Sequence, residues 1–257
     1  FRRDLRLEDN HGLYRALLDH GNVLPLFIFD EAILEKLEDK SDRRVDFIHR
    51  TLQDLKLRLE ERGSSMLVRH GTPEQVWSEL LQEYDITAVT ANHDHEPYAI
   101  GRDERIAGLL KAKNIPFRTF KDISIFERGE VLKDDGDPYT VFTPYARKWK
   151  LQFKPEMAHP FPSEEHLDRL WTGAPWSMPG LEDIGFATTD LRIPPRTVTE
   201  ALLRGYQRTR DIPGTDGTSR MSVHLRFGTV SVRALVTKAL EISPTYLNEL
   251  IWREFFM

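Results

Sequence analysis

The stretch Val23-Leu24-Pro25-Leu26-Phe27-Ile28-Phe29, stopped by Asp30, is a nearly continuous apolar run of strand length. A strand with one wet face would alternate polar and apolar residues. A run without alternation reads as a strand covered on both faces, the habit of parallel sheets. Helical spacing follows, because Val45, Ile48, Leu52, Leu55 and Leu59 fall on one stripe with Ser41 and Asp42 before it and Gly63 after it. Met66-Leu67-Val68 reads as the next short strand. Thr72-Pro73-Glu74-Gln75 then opens a helix, with threonine as cap, proline at the first position and glutamine three residues after the cap. Residues 86–91 and 116–120 read as further strands, and 100–113 as the helix between them. Strand and helix alternating at this spacing imply an α/β fold, a parallel sheet with helices on both faces.

The texture then changes. Residues 151–195 hold seven of the fifteen prolines and read as a linker draped over the surface. From Thr197 onward the pattern is helical, without strand alternation. The expected organisation is an α/β domain over 1–125, an extension and proline-rich linker over 126–195, and an all-helical domain from 196 to 257. Both ends read as cut. The chain lacks an initiator methionine and stops at Phe255-Phe256-Met257 inside an apolar helical pattern, so the helical domain is expected to be incomplete.

Composition narrows the chemistry. Hydrophobic residues make up 40% of 257, enough for a substantial core, and the absence of cysteine excludes disulfides, thiolate metal sites and cysteine nucleophiles. No apolar run reaches membrane-spanning length and no signal-peptide pattern opens the chain, so a soluble cytoplasmic protein is expected. The net charge of −5 is uneven: residues 196–257 carry nine Lys/Arg against six Asp/Glu, while residues 1–195 carry a net −8. A polyanion, if one binds, is expected at the C-terminal segment.

Two constellations stand out. In Arg210-Asp-Ile-Pro-Gly-Thr-Asp-Gly-Thr-Ser-Arg-Met-Ser222, Gly214 and Gly217 permit a tight backbone path, and Thr218, Ser219 and Ser222 supply hydroxyls where a helix should begin. Such a place suits a phosphate; an ordinary helix capped by Thr218 is the other reading. In Asn248-Glu-Leu-Ile-Trp-Arg-Glu254, the residues Glu249, Trp252 and Arg253 stand at i, i+3 and i+4, so a carboxylate, an indole and a guanidinium share one helix face. That face can stack a base and hydrogen-bond its edge; a surface ion pair beside a core tryptophan is the alternative. His93 and His95 alternate after a strand as metal ligands do, yet no third ligand has an obvious place, and no metal is expected. Phe1-Arg-Arg-Asp-Leu-Arg-Leu-Glu-Asp-Asn10 reads as a solvated charged loop or a structural salt-bridge network.

Taken together, these segments resemble the photolyase/cryptochrome family. The matching pieces occur in order: Phe1-Arg-Arg-Asp-Leu-Arg-Leu-Glu-Asp-Asn10; Glu96-Pro-Tyr-Ala with Arg102-Asp103; Tyr139-Thr-Val-Phe-Thr-Pro-Tyr145 with Trp149; Arg210-Asp-x-Pro; Gly217-Thr-Ser-Arg-Met-Ser222; Leu225-Arg-Phe-Gly228; and Asn248-Glu-Leu-Ile-Trp-Arg-Glu-Phe255. The resemblance implies a Rossmann-like N-terminal domain, a long connector and the opening part of a helical domain that binds FAD, with room for a second antenna chromophore of unassigned identity. Tyr98 and Ala99 stand where folate-antenna members carry Asn-Glu, which argues against a folate antenna.

Residue by residue, the resemblance implies that Tyr206 and the stretch Thr218, Ser219, Arg220, Met221 and Ser222 hold the flavin phosphates and ribityl chain. It places Tyr246 and Arg253 against the cofactor, Arg210 near the DNA backbone, and Glu249 and Trp252 against a flipped-out pyrimidine dimer in UV-damaged DNA. The pairing of Glu249 with Trp252 is similar to enzymes that repair cyclobutane dimers by electron transfer from excited reduced FAD, which makes a class I deoxyribodipyrimidine photo-lyase the expected activity. A cryptochrome-type photoreceptor without repair is the alternative, and a stand-alone nucleotide-binding module without flavin is a third reading. No obligate protein partner is expected.

Overall fold

The computed structural model describes residues 1–257. Its elements run α1 (His11–Asp19), β1 (Leu26–Asp30), α2 (Glu31–Leu34), α3 (Arg43–Glu60), β2 (Leu67–Gly71), α4 (Pro73–Glu83), β3 (Val89–Asn92), α5 (Pro97–Lys111), β4 (Phe117–Phe120), α6 (Phe142–Gln152), α7 (Glu200–Thr209), α8 (Ser222–Phe227), α9 (Val232–Ile242) and α10 (Pro244–Phe255), with short 3-10 turns between 155 and 184. The chain divides into two compact units. The α/β unit comprises residues 1–120 and 161–193, and the helical unit 121–160 and 194–257. No helix is long and apolar enough to cross a membrane.

In the α/β unit the strands are parallel, as the apolar runs imply, but they form two separate pairs, β1 with β2 and β3 with β4, in place of one continuous sheet. The apolar run from Val23 joins β2 first through the Pro25 carbonyl, which accepts from Leu67 N at 2.9 Å; Pro25 has no N–H to extend the ladder further, and Val23 bridges to Leu170, donating to the Arg169 carbonyl at 3.0 Å and accepting from Trp171 N at 2.8 Å. At the start of α4 the cap position is correct and the expected bond is not. The Thr72 hydroxyl donates to Gln75 Oε1 at 2.8 Å, and no side chain caps the backbone.

The charged opening segment is a buried structural network. Asn92, at the end of β3, donates through Nδ2 to Asp4 Oδ2 (2.7 Å) and Asn10 Oδ1 (2.8 Å), and its Oδ1 accepts the Gly12 amide at 2.7 Å. Asn10 in turn caps α1 by accepting from Leu13 N at 3.0 Å. Arg2 pairs with Asp103 and also donates to the Asn92 carbonyl, while Arg3 pairs with Asp94 at 3.0 Å. His93 bonds Thr119 Oγ1 at 2.9 Å.

The region 126–195, expected as an extension and linker, is divided between the units. Residues 161–193 pack on the α/β unit: the Phe161 ring stacks on His11 at 3.6 Å, Phe161 N donates to Asp9 Oδ1 at 2.7 Å, and the buried Asp46 accepts both the amide (2.9 Å) and the hydroxyl (2.5 Å) of Thr189. Prolines exclude regular elements there, but side-chain bonds fix the path.

The helical unit is built on one apolar cluster drawn from α6, α7, α9 and α10, with Trp149, Leu203, Val236, Ala239 and Ile251 buried in it. Polar clamps bind the segment 122–126 to this cluster. Arg233, 3% exposed, pairs with the wholly buried Asp122 at 2.8 Å. Arg253 donates to the Ile123 carbonyl at 2.7 Å. The buried Glu254 accepts Ile125 N (2.6 Å), Phe126 N (3.2 Å) and Trp149 Nε1 (2.6 Å). Burial pushes the Glu254 carboxyl above the usual carboxylate range, and these three donors pull it back. His224, also buried, bonds the Pro194 carbonyl through Nε2 (2.9 Å) and Thr229 Oγ1 through Nδ1 (2.7 Å). Nε2 must therefore carry the proton, and burial holds the ring's pKa below the ordinary histidine value.

Two outcomes follow for stability. Alanine normally favours a helix interior over glycine, but a Cβ at Gly12 would meet Asn92 Oδ1 at 2.8 Å, so Gly12→Ala should destabilise by about 1–3 kcal/mol in urea unfolding. A gain in stability would show that the Asn92 network yields without cost. In the helical unit, Glu254→Leu leaves three donors without an acceptor and should lower stability by more than about 3 kcal/mol, with Glu254→Gln less severe. Because the folded carboxyl holds its proton more tightly than an unfolded one, its contribution falls as pH rises from about 4.5 through the raised folded value. That slope should be absent from the Gln variant in a pH series of unfolding curves.

Candidate functional site

Tyr206, Arg210, the bend at 214–221, Tyr246 and Glu249 gather where the C-terminal end of α7 meets α10, while Trp252 and Arg253 contact other parts of the helical unit. Tyr206 and Tyr246 are both buried and pack edge to face, with centroids 5.0 Å apart at 87°. The Tyr246 hydroxyl donates to Ser219 Oγ at 3.1 Å, which ties α10 directly to the bend. Burial raises both phenols, so each stays protonated at neutral pH and offers a hydrogen-bond donor.

Gly217 explains the tight path. A Cβ there would stand 2.5 Å from Thr209 Cβ and 2.8 Å from the Thr209 carbonyl oxygen, so only glycine lets the bend lie against α7. Gly214, by contrast, has open space around it. Arg220 adopts φ +54, a left-handed conformation that an arginine reaches only under constraint, and its guanidinium pairs with Asp216 at 2.9 Å. Met221 is buried, whereas Thr218 and Ser222 turn to solvent. The reading of Thr218 as a helix cap gives way: α8 begins at Ser222 after Met221, has no side-chain cap and ends after six residues at Gly228 in the left-handed region. The hydroxyls at 218 and 222 thus face solvent, while that of Ser219 is engaged by Tyr246.

On α10 the three grouped side chains are held in three different ways. Glu249 pairs with Arg210 at the end of α7, both about one-third exposed, an ion pair worth about 0–1 kcal/mol at such exposure. Trp252 stacks face to face on Phe142 of α6, with centroids 3.6 Å apart at 8°. Phe256 lies over its other side at 5.4 Å and 19°, itself 78% exposed. Arg253 donates to the carbonyls of Ile123 (2.7 Å) and Leu225 (3.1 Å), so it braces the site's frame from behind. Sequence reasoning had no role for Phe142 or for Glu254. Phe142 carries no local sign of its partner, because the stack joins two helices far apart in the chain.

The donor set fits the polar portion of a dinucleotide cofactor. Thr218, Ser219 and Ser222 provide hydroxyls on a bend pressed against α7, Tyr246 adds a buried phenol, and Arg210 and Arg220 supply positive charge at the margin.

Comparison with known proteins bears on the family of the chain as a whole. The sequence model for DNA photolyase matches residues 1–165. The deoxyribodipyrimidine photo-lyase of Halobacterium salinarum is 31% identical over 99% of this chain and 59% of its own length, and a cryptochrome DASH from Gloeobacter violaceus is 28% identical over 100% of this chain and 57% of its own. The archaeal photolyase of Sulfolobus tokodaii, solved with two FAD molecules, superposes with a TM-score of 0.72 at 26% identity, covering 100% of this chain and 57% of that one. The chain spans less than two thirds of the length of these relatives. With a family match over more than half its residues, the chain belongs to the DNA photolyase family, the flavin-dependent photolyases and cryptochromes.

Proposed function

We propose that the protein of which this chain forms part repairs cyclobutane pyrimidine dimers in UV-damaged DNA, using light and reduced FAD, as a deoxyribodipyrimidine photo-lyase. The observation that carries this reading is that α10 bears Tyr246, bonded to the bend at Ser219, one turn before Glu249 and two turns before Trp252, so groups suited to the cofactor and groups suited to a damaged base lie along one helix. FAD, when bound, supplies the photoexcited electron that opens the cyclobutane ring and takes it back afterwards.

The residues of this chain have binding and positioning roles in that reaction. Thr218, Ser219 and Ser222 would hold the polar portion of FAD, with Tyr246 and Tyr206 beside it and Arg220 and Met221 shaping the bend. Arg253 fixes α10 through main-chain carbonyls and so acts on the cofactor's surroundings by position. Glu249 hydrogen-bonds the carbonyl or imide edge of the flipped-out dimer, which steadies negative charge arriving there. Its contact with Arg210 holds that carboxylate in place until the guanidinium turns to the DNA backbone. Trp252, locked in plane by Phe142, offers a flat wall once the exposed Phe256 moves aside. The positive balance of residues 196–257 suits an approach to polyanionic DNA.

Two measurements on the full-length protein test this. Illumination with a dimer-containing single-stranded oligonucleotide should restore pyrimidine absorbance, and Glu249→Ala should slow that recovery roughly ten- to hundredfold while flavin content stays unchanged, the scale of one lost charged hydrogen bond. Equal loss of repair and flavin would remove Glu249 from the substrate side, and flavin photoreduction without any repair by the unsubstituted protein would favour the cryptochrome reading. Arg210→Gln should weaken binding to damaged DNA and reduce the salt slope by about one, for a single phosphate contact. An unchanged slope would place Arg210 away from the backbone.

A further inference from the structure

α8 is too short to hold itself. Its six residues, Ser222–Phe227, have no side-chain cap and make an unstable helix in isolation, so bonds from outside must fix it. Arg253 of α10 supplies one by donating to the Leu225 carbonyl at 3.1 Å. Further bonds come from the ring of His224, which is buried at 0% exposure. Its Nε2 donates to the Pro194 carbonyl at 2.9 Å, and its Nδ1 accepts from the Thr229 hydroxyl at 2.7 Å. One neutral imidazole therefore joins three stretches: the segment leading to α7, α8 itself, and the turn before α9. The ring also stands two residues past the hydroxyl-bearing part of the bend. Tyr246 anchors that bend at Ser219, but Met221 and Ser222 run straight into α8, so whatever frees α8 frees this side of the bend.

Histidine is the side chain whose charge changes between about pH 5 and 8. A proton taken from solvent would add at Nδ1, the nitrogen that carries the lone pair. Nδ1–H and the Thr229 O–H would then point at one another across 2.7 Å, and the hydroxyl of a residue only 5% exposed would have to turn away. The new charge would also stand among cations. Arg196, two residues after Pro194, acts on the ring directly, Arg226 belongs to α8 itself, and Arg253 of α10 lies at the carbonyl of the next residue. Burial first, and then Arg196, hold the ring's pKa below the ordinary histidine value, against the opposing pull of the Pro194 carbonyl. A proton is therefore accepted more readily once α8 has come away, and acid favours the released form.

We propose that His224 is an acid-released latch on the hydroxyl bend: the neutral ring, bonded to Pro194 and Thr229, holds α8 in place, and the protonated ring frees α8 together with residues 218–222. Retention of an anionic cofactor then depends on pH, a consequence that rests on the reading of this bend as the FAD site. The latch itself is a property of the helical unit and stands apart from the identity of the ligand.

The test uses the full-length protein with its flavin. The amides of Leu225, Gly228 and Thr229 bond to the carbonyls of Met221 and His224, and those of Leu203 and Leu235, in α7 and α9, serve as controls. Corrected for the intrinsic rate at each pH, hydrogen exchange at the first three should quicken at least about tenfold from about pH 7.5 to about pH 5, while the controls change little. Flavin release, followed by fluorescence, should quicken over the same range. His224→Gln keeps a donor and an acceptor but takes up no proton, and should flatten both responses. Arg196→Gln, at an exposed position, removes a like charge and should shrink the acid effect about twofold, the scale of one exposed charge. Exchange indifferent to pH, or an equal acid response in His224→Gln, would overturn the latch. Should His224→Gln fail to fold, an undiminished response in Arg196→Gln would do the same. Quickened exchange with flavin fully retained would sever the latch from cofactor binding. A protein without flavin at neutral pH would instead remove the FAD reading, and the exchange measurement would still decide the latch.

Discussion

A carboxylate inside an apolar cluster is tolerated only where donors converge on it, and Glu254 has three, two backbone amides and an indole. The bonds join α10 to the segment at 125–126 and to Trp149 of α6. With those distances fixed, the neighbouring turns of α10 have little freedom. Trp252 must come against Phe142, two turns before Trp149 on α6, and Arg253 must meet the carbonyls of Ile123 and Leu225. One turn before Trp252, Glu249 arrives at Arg210, and a further turn back Tyr246 arrives at Ser219. The placement of the candidate residues on α10 therefore follows from a buried carboxyl group one residue beyond Arg253, and their geometry inherits the rigidity of that clamp.

The α/β unit uses a different device for the same end. Asn92, an uncharged residue with donor and acceptor on one group, reads both Asp4 and the amide of Gly12, and so connects the end of β3 to the opening segment and to α1. Because every atom of that amide group is engaged, a methyl added at Gly12 has nowhere to go. The arginines around it pair with partners at 94 and 103, so the dense charge of residues 1–10 is structural. A network of this kind is costly when partly satisfied and firm when complete.

Much of this was legible in the sequence where one residue type has one physical meaning. The unbroken apolar run before Asp30 marked β1, the stripe from Val45 to Leu59 marked α3, and Gly63, at φ +74, marked the end of that helix. The bend at Gly217 was also legible, since two glycines among hydroxyls permit few paths. Long-range partnership was not. Glu254 looks like any surface acid on a helix, and its partners lie 105 to 129 residues away. Prolines announced that 151–195 is irregular, yet composition does not say which core an irregular segment covers, and Asp46 holding Thr189 decides that for part of it. The apolar runs likewise revealed strands without revealing that the ladder between β1 and β3 is interrupted, for an edge strand buried by helices reads the same as a central one.

The bend at 214–221 shows how the local and distant constraints combine. Left to its own preferences, Arg220 would leave the left-handed region, and six residues of α8 without a side-chain cap would form a weak helix. Three contacts hold it: Gly217 against the last turn of α7, Ser219 under the Tyr246 hydroxyl, and Met221 in the core. Gly217 directly precedes Thr218 and Met221 directly precedes Ser222, so each exposed hydroxyl is positioned by the buried residue before it. In a bend so held, the entropy of ordering the backbone that carries those hydroxyls is lost on folding, ahead of any binding. The left-handed backbone at Arg220 is part of the same constrained path.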